Sequence, residues 1–440
     1  MLKKQIKTNQ NDLLGHKLEF LINLKNPLCL LSENIPWEVF EQEFEKYYRK
    51  DFGRPAKPIR LMVSLLILKQ MFNESDENVV SRWQENPYWQ HFSGEEYFQW
   101  KFPCDDSELT KFRNRIGVEG VEKIFRLSIL LHGKEAMEVE VVPDTTVQEK
   151  NITFPTDTKL HLTIIKKCWK LSKDNSIKLR QSYQRKIKEY RWKSRYLQVP
   201  TRAKEGRRAV AKIKTIAGRL LREIVRKLSN AALDQNAKLL EIMNKILTQR
   251  RDSKNKIYSI HEPHVKCIAK GKEHKKYEFG SKVSILLTKN TGIIVGALNF
   301  PSNPYDGHTL EAALEQSERL RGIKVQKAIV DEGYRGRAKI GETEIIRAHQ
   351  PKLNKHSKYK WRKWFKRRAS VEAIISHLKN DYRLSRNYLK GVAGDQINLL
   401  LSAAAFNFKK LIYKLVFYFQ FFKFTFFAYF VMLFFPFLIN

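Results

Sequence analysis

The stretch VEVVPDTTVQEK, residues 139–150, carries the pattern that decides the fold, an apolar run that ends at an acid. Residues 139–143 are rich in valine, which favours a buried strand, and Asp144 follows them directly. The pattern recurs at residues 328–330, an Ala-Ile-Val run that Asp331 ends. Strands and helices that alternate along a chain predict an α/β fold, in which one sheet carries helices on its faces. We therefore expect two carboxylates at the mouths of two strands.

A third acid, Glu372, lies in the basic, helix-patterned stretch FKRRASVEAIISHLK, residues 365–379. Three carboxylates that converge from two strands and a helix suit hard cations such as Mg²⁺, which prefer oxygen ligands and keep room for phosphate. A pair of such ions about 3.5–4 Å apart can activate a nucleophile and stabilise the leaving oxygen of a phosphodiester. We expect two Mg²⁺ ions here, with Mn²⁺ as a substitute.

The residues around these acids suit contacts with phosphate. Tyr334 and Arg335 follow Asp331 between two glycines, which let the backbone turn sharply. Arg368 and Lys379 flank Glu372 at separations of four and seven, so all three share one helix face. We expect these side chains to contact the DNA backbone.

The charge of the chain indicates a polyanionic partner. Its 440 residues include 82 Lys and Arg against 46 Asp and Glu, a formal net charge of +36. From residue 178 to residue 227 there are 18 basic residues and three acidic ones. Nucleic acid is the polyanion that such a surface favours, although a basic proteome or a solvated helix face explains the same composition.

Periodicity and turn residues predict three segments. Residues 1–135 are expected to form a helical N-terminal DNA-binding domain, residues 136–412 the α/β catalytic domain, and residues 413–440 an aromatic hydrophobic tail. Within the catalytic domain a helical insertion is expected at about residues 155–255. Helices are predicted at 59–72, 107–116, 309–319 and 367–380, and strands at 137–147, 277–288, 293–300, 325–330 and 344–348.

The tail admits two interpretations. Residues 415–439 are long and apolar enough for a membrane-spanning helix, but Lys423 near their middle is costly in a bilayer. We favour an accessory or read-through segment and expect no membrane partner. The four cysteines are widely spaced, which fits a reducing compartment, and no secretory signal is found at the N-terminus.

At residues 365–379 the chain resembles a known family, the DDE transposases of bacterial insertion sequences, in the insertion-sequence five group (the IS-four/IS-five-like branch). The spacing Phe365-x2-Arg368-x3-Glu372-x6-Lys379 resembles that branch's signature Tyr-x2-Arg-x3-Glu-x6-Lys, with Phe in place of Tyr. Phe keeps a ring for stacking but lacks the hydroxyl. Further segments that resemble the family are DTTVQEKNITFPTD, IYSIHEPHVKCIAKGK, YEFGSKVS, NPYDGHTLEAALEQ, IVDEGYRG and LKGVAGDQIN, in order between residues 144 and 398.

The resemblance implies a ribonuclease H-like catalytic domain in which Asp144, Asp331 and Glu372 are the catalytic metal ligands. It implies cleavage at the terminal inverted repeats of the insertion sequence, then transfer of the freed 3′-hydroxyl into target DNA. It further implies Arg368 and Lys379 as phosphate contacts, a homodimer on DNA, and a cytoplasmic, nucleoid-associated protein. Three alternatives stay open: a metal-dependent nuclease without strand transfer, a decayed copy that only binds DNA, and a membrane-anchored basic protein.

Overall fold

The computed structural model describes residues 17–49, 55–250, 252–269, 275–334, 338–347, 362 and 368–434, the last range with side chains as far as Phe417. The chain forms two compact units. Unit 1 comprises Met1–Gln148, Lys282–Phe300 and Pro304–Asn440, and unit 2 comprises Glu149–Ser281 and Pro301–Asn303.

Unit 1 begins with helices. They are α1 (Leu18–Leu21), α2 (Pro27–Asn34), α3 (Trp37–Glu45), α4 (Ile59–Met71), α5 (Asp76–Glu85), α6 (Pro87–Phe92) and α7 (Asp106–Leu130), followed by a 3-10 turn at Gly133–Met137. The predicted buried helix at 59–72 is confirmed, because α4 is buried along almost its whole length, including the polar Lys69 and Gln70. α7 begins at a capping box. The Asp105 side chain accepts from backbone N–H groups of the first turn, and the Glu108 side chain accepts from the Asp105 N–H. This agrees with the predicted helix start.

The sheet of unit 1 is mixed. Its strands are β1 (Glu140–Glu149), β3 (Tyr277–Thr288), β4 (Ile294–Phe300), β5 (Lys327–Val330), β6 (Lys339–Ile340) and β7 (Thr343–Arg347). β4 pairs antiparallel with β3, β3 lies beside β1, β1 pairs parallel with β5, and β5 pairs parallel with β7. The start of β1 meets the end of β3, since the Lys289 N–H donates to the Glu140 carbonyl, so these two strands are antiparallel.

Three helices complete unit 1: α12 (Asp306–Arg321), α13 (Ser370–Asn380) and α14 (Gly391–Phe434). The N-terminal helices and the sheet bury one continuous set of apolar side chains, which includes Phe44, Leu65, Val283 and Phe408. The boundary predicted near residue 135 therefore falls inside a single unit. Among the described side chains of α14, Ile412 is the last that is fully buried, Tyr413 is 66% exposed, and Leu415 and Val416 pack partly buried against the same core.

Unit 2 is mainly helical. It contains α8 (Asp157–Asp174), α9 (Gln184–Lys193), α10 (Ala203–Lys227) and α11 (Asn230–Thr248), with 3-10 turns at Ser194–Gln198 and Pro200–Arg202. These helices bury a core of their own around Ile164, Leu220 and Met243. A short strand, β2 (Lys266–Ala269), pairs antiparallel with the first four residues of β3. A helical segment thus separates β1 from β3, and its unit reaches beyond the predicted range of 155–255 to include the β2–β3 pair.

Along the described residues, no helix combines the length and the apolar character that crossing a bilayer requires. The side chains of the tail beyond Phe417 lie outside the described part of the chain.

Candidate active site

Strands β1 and β5 place two of the predicted acids side by side. The parallel pairing matches Glu140 with Lys327 and Val141 with Ala328. Asp331 directly follows the last residue of β5, and the same register, extrapolated to the end of that strand, brings Asp144 opposite Asp331. Neighbouring strands lie about 4.8 Å apart, and residues level in a parallel pair share a face, so both carboxylates lie on one side of the sheet. The apolar residues before each acid are buried, which anchors this register in the core.

Backbone N–H groups hold both carboxylates. Asp144 Oδ1 accepts from the Thr145 N–H at 2.8 Å, and Asp331 Oδ1 accepts from the Gly333 N–H at 2.9 Å. A Cβ on Gly333 would lie 2.9 Å from Asp331 Oδ1, so a side chain there would push the carboxylate away. Glycine at this position thus serves the close approach of Asp331 to the backbone.

A further acid, Asp306, belongs to the same neighbourhood. Its Oδ1 accepts from Thr145 Oγ1 at 2.9 Å and from Lys282 Nζ at 2.8 Å. Asp306 is the first residue of α12, and Lys282 lies on β3, so a helix start and two strands meet at this carboxylate. The segment NPYDGHTL contains Asp306, but no strand precedes this acid, and sequence reasoning gave it no role.

Tyr334 lies within the site and not on an open surface. It is 3% exposed, and its hydroxyl has no hydrogen-bond partner in the described part of the chain. Burial first, and then the negative charges of Asp144, Asp306 and Asp331, raise the pKa of Tyr334 well above its usual value. Its phenol therefore stays protonated among three carboxylates. A contact between Tyr334 and a DNA phosphate needs an open face that this burial does not provide.

Arg368 reaches the site from just before α13, whereas Glu372, in the first turn of that helix, has no contact with Asp144 or Asp331 among the described residues. Arg368 Nη2 lies 3.1 Å from Asp331 Oδ2, so this guanidinium, expected at a phosphate, forms an ion pair with a predicted metal ligand. Glu372 lies one turn further along and is exposed. Lys379, in the last turn of α13, is half-buried. Arg335 and Phe365, both predicted DNA contacts, lie outside the described residues.

The fit of these residues to a metal ion is partial. Asp144 on β1 and Asp331 directly after β5 supply the hard oxygen donors that Mg²⁺ prefers. Within the described ranges, however, no three acids, histidines or cysteines lie close enough together to hold an ion. The physical reason is visible at Asp331, where Arg368 occupies one carboxylate oxygen while Glu372 faces solvent.

Comparison with known proteins agrees with this organisation. The family described as "Transposase domain (DUF772)" matches residues 16–115, and the family described as "Transposase DDE domain" matches residues 248–408. A Rhizobium meliloti protein, "Uncharacterized protein ORF8 in nfe locus", is 43% identical over 187 residues, which cover 41% of this chain and 89% of the relative. No solved structure matches the chain. DDE transposase domains act on DNA and in general use divalent metal ions. The chain belongs to the DDE transposases of insertion sequences.

Proposed function

We propose that this chain is a transposase of the insertion-sequence five group. It cuts DNA at the terminal inverted repeats of its own element and joins the freed 3′-hydroxyl to target DNA. The observation that supports the proposal is the parallel pairing of β1 with β5, because Asp144 lies on β1 and Asp331 directly follows β5. Asp144 lies outside both matched segments, which end at residue 115 and resume at residue 248, so its role rests on this register.

The strand order supports a ribonuclease H-like fold for the catalytic part. β4, β3 and β1 form an antiparallel set, and β5 and β7 continue the sheet parallel to β1. Along the chain, the helical insertion follows β1 and precedes β3, so it comes after Asp144 and before Asp331. An insertion at that point lengthens one connection without changing the register of the acids.

The proposed metal ligands are Asp144, Asp331 and Glu372. When bound, two Mg²⁺ ions, or Mn²⁺ in their place, would neutralise charge on the scissile phosphate and activate the attacking hydroxyl. The two strand acids are already oriented by backbone N–H groups. In the proposed active state Glu372 joins them, and the guanidinium of Arg368, which is paired with Asp331 here, moves to the phosphate expected from the resemblance.

DNA is the proposed partner, with Arg368, Lys379, Arg335 and Phe365 as contacts near the cut. A homodimer that brings two element ends together, and a cytoplasmic, nucleoid-associated location, follow from the proposed reaction. The charge of +36 supports binding to a polyanion.

The test uses a plasmid that carries the coding region with its own flanking inverted repeats. The protein is incubated with this plasmid and Mg²⁺ or EDTA, and every new end is mapped to the nucleotide. We expect Mg²⁺-dependent breaks at the repeat boundaries and joined products in a target plasmid. Asp144→Asn, Asp331→Asn and Glu372→Gln should each abolish both products while DNA binding stays within about twofold, because only metal ligands are removed.

Asp174→Asn is the matched control, an exposed aspartate at the end of α8 that should leave activity unchanged. Boundary cuts without joined products would favour a nuclease that lacks strand transfer. Specific binding without any cut would indicate a decayed copy. Full activity in Asp144→Asn would remove the proposed site.

A further inference from the structure

The side chain of Asp306, the first residue of α12, is bonded to two strands and does not cap its own helix. Its Oδ1 accepts two hydrogen bonds, from Thr145 on β1 and from Lys282 on β3, and Lys282 Nζ also donates to the Pro304 carbonyl at 2.6 Å. Lys282 is 13% exposed, so the cation that holds Asp306 is itself largely buried. The carboxylate is therefore fixed in orientation by two strands and a loop.

The other oxygen, Asp306 Oδ2, faces the space that Asp331 faces. A Cβ placed on Gly333 would lie 3.4 Å from Asp306 Oδ2 and 2.9 Å from Asp331 Oδ1. Both oxygens thus line the same small gap beside Gly333. Within the described part of the chain, Asp306 Oδ2 accepts no hydrogen bond, whereas Oδ1 accepts two.

A second observation concerns the same neighbourhood. The hydroxyl of Tyr334 is buried, lacks a partner among the described residues, and lies within electrostatic reach of Asp144, Asp306 and Asp331. A buried polar atom without a partner is costly, so its retention calls for an explanation, such as a bound ion or water.

The charges of the neighbourhood also favour a cation. Asp144, Asp306 and Asp331 bring three carboxylates, and the ion pairs of Lys282 and Arg368 offset two of them. Like charges at close range repel, and a divalent cation relieves that repulsion. If Arg368 moves from Asp331 to phosphate, as the proposed function requires, the excess of negative charge grows.

We propose that Asp306 is a fourth acidic residue of the active site, a positioning residue outside the cation's direct ligands, whose oxygen Oδ2 and negative charge strengthen the binding of a divalent cation by Asp144 and Asp331. This assignment rests on the proposed function. Groups that surround a metal's direct ligands typically change metal affinity by 10- to 100-fold when they are mutated. Asp306 acts there alongside Tyr334, and Lys282 and Thr145 hold it in place.

The competing explanation is that Asp306 only ties α12 to β3 through Lys282. The two explanations separate in a pair of variants. Asp306→Asn keeps an acceptor at Oδ1 but replaces Oδ2 with an amide that cannot accept and removes the charge. Lys282→Met breaks the same ion pair but leaves the carboxylate of Asp306 in place.

The experiment measures Mn²⁺ binding to the full-length protein by electron paramagnetic resonance, without DNA, together with the thermal unfolding midpoint. We expect Asp306→Asn to weaken Mn²⁺ binding by about tenfold, with Kd as the readout. Lys282→Met should bind Mn²⁺ at least as tightly as the wild type, because a competing cation is gone. Glu315→Gln, an exposed acid on the same helix, is the control and should leave Kd unchanged.

An Asp306→Asn protein that binds Mn²⁺ like the wild type would overturn the assignment. So would an equal loss of Mn²⁺ affinity in Lys282→Met, since that would reflect the broken ion pair alone. The variant Asp144→Asn distinguishes a failure of the proposed metal site from a failure of the role assigned to Asp306. If the wild type binds Mn²⁺ and Asp144→Asn does not, the proposed metal site stands and only the role of Asp306 is at issue. A wild type without Mn²⁺ binding would contradict both.

Discussion

At the scale of single residues, the ion pair between Arg368 and Asp331 leads to a prediction about metal affinity. Arg368 Nη2 lies 3.1 Å from Asp331 Oδ2 and competes with a cation for that oxygen. Arg368→Gln should therefore tighten Mn²⁺ binding. A partly exposed ion pair contributes up to about 1 kcal/mol, which corresponds to roughly a fivefold change in Kd.

The measurement is a Mn²⁺ titration of the metal-free protein followed by electron paramagnetic resonance. Arg386→Gln removes an exposed cation elsewhere in unit 1 and serves as the control. The same Arg368→Gln protein should bind DNA more weakly, with a shallower dependence on salt, if the guanidinium moves to phosphate. Mn²⁺ binding that is weaker in Arg368→Gln than in the control would contradict the competition.

The sequence predicted some residues of this site and not others, for physical reasons. Asp144 and Asp331 could be found because each ends an apolar run that is buried in the core. Asp306 follows a loop and opens a helix, and its neighbours Lys282 and Thr145 are distant in sequence. Tyr334 lies between glycine and arginine, a context typical of a loop surface, while its burial depends on packing that no local pattern shows.

At the scale of elements, one buried ion cluster joins three N-terminal helices. Asp76, at the start of α5, accepts from Lys69 of α4 at 2.7 Å and from both terminal nitrogens of Arg113 of α7 at 2.8 and 2.5 Å. Burial works to raise the pKa of Asp76, but the hydrogen bonds and charges of Arg113 and Lys69 outweigh it and lower the pKa to about 2.

Asp76→Asn should therefore destabilise the protein by about 3–5 kcal/mol at pH 7, because it leaves two buried cations without their counter-charge. An aspartate whose folded pKa is depressed stabilises the fold above its unfolded pKa of about 3.9 and loses that contribution as the pH falls towards 2. The wild type should lose stability between these values, and Asp76→Asn should lose less over the same range.

Urea unfolding of both proteins at pH 7, 4 and 3 checks this prediction. Asp106→Asn, an acid in the first turn of α7 that is exposed, is the control. Parallel losses of stability with pH in the wild type and in Asp76→Asn would show that other groups dominate acid unfolding.

A second prediction at this scale concerns a groove within unit 2. α8 contributes Lys159, Lys166 and Trp169 to its lining, and α9 contributes Lys188 and Arg191. The groove has a volume of about 960 Å³, and its lining residues include no acid. An aromatic ring among cations suits a nucleic acid, whose backbone the cations attract and whose bases can stack.

Replacing Lys159, Lys166 and Lys188 together with glutamine should weaken DNA binding and flatten its salt dependence. For each phosphate that a lysine no longer neutralises, the slope of log K against log salt should fall by about 0.9. The control changes Lys173, Lys212 and Lys254 to glutamine, three exposed lysines of unit 2 outside the groove lining. Equal slopes in the two triple variants would show that the groove has no special role in DNA binding.

The elements themselves followed the sequence closely where local signals agreed. β3 covers 277–288 as predicted, because its branched and aromatic residues end at a turn around Gly292, whose φ is 62°. The helix predicted at 107–116 ends where predicted, since Gly117 breaks the helical geometry with φ of 62°, and a second helical segment of α7 continues from there to Leu130. A glycine with positive φ normally ends a helix. Here the chain re-enters a helix because residues such as Val121 and Ile124 are fully buried beyond it.

At the scale of the whole molecule, the domain boundaries were the part that the sequence could not define. α14 explains why, since it ties distant segments of unit 1 together. Gln70 of α4 donates to Ser402 Oγ at 2.8 Å, and Asn407 donates to Ser128 Oγ at 3.2 Å. These hydrogen bonds join residues more than 270 positions apart, and neither composition nor periodicity reveals such pairings.

The same helix gives a prediction for the tail. Phe408, Leu411 and Ile412 are at most 5% exposed, while Tyr413 and Phe417 are 66% and 65% exposed. A chain that ends after Lys414 loses the partly buried Leu415 and Val416 but keeps every described side chain of α14 that is fully buried. It also keeps the ion pair of Lys414 with Glu135, whose atoms lie 2.8 Å apart. Its unfolding midpoint and its Mn²⁺-dependent activity should match those of the full-length protein.

A chain that ends after Ala404 is the comparison. It lacks Phe408 and Leu411, and burying such side chains contributes about 1.5–3 kcal/mol each. It also lacks the hydrogen bonds of Asn407 to Ser128 and to the backbone of Ile294. We expect this shorter chain to show no cooperative unfolding transition in calorimetry. If the chain ending at Lys414 were destabilised to the same degree, the prediction would be wrong, and the aromatic tail would be part of the folded core.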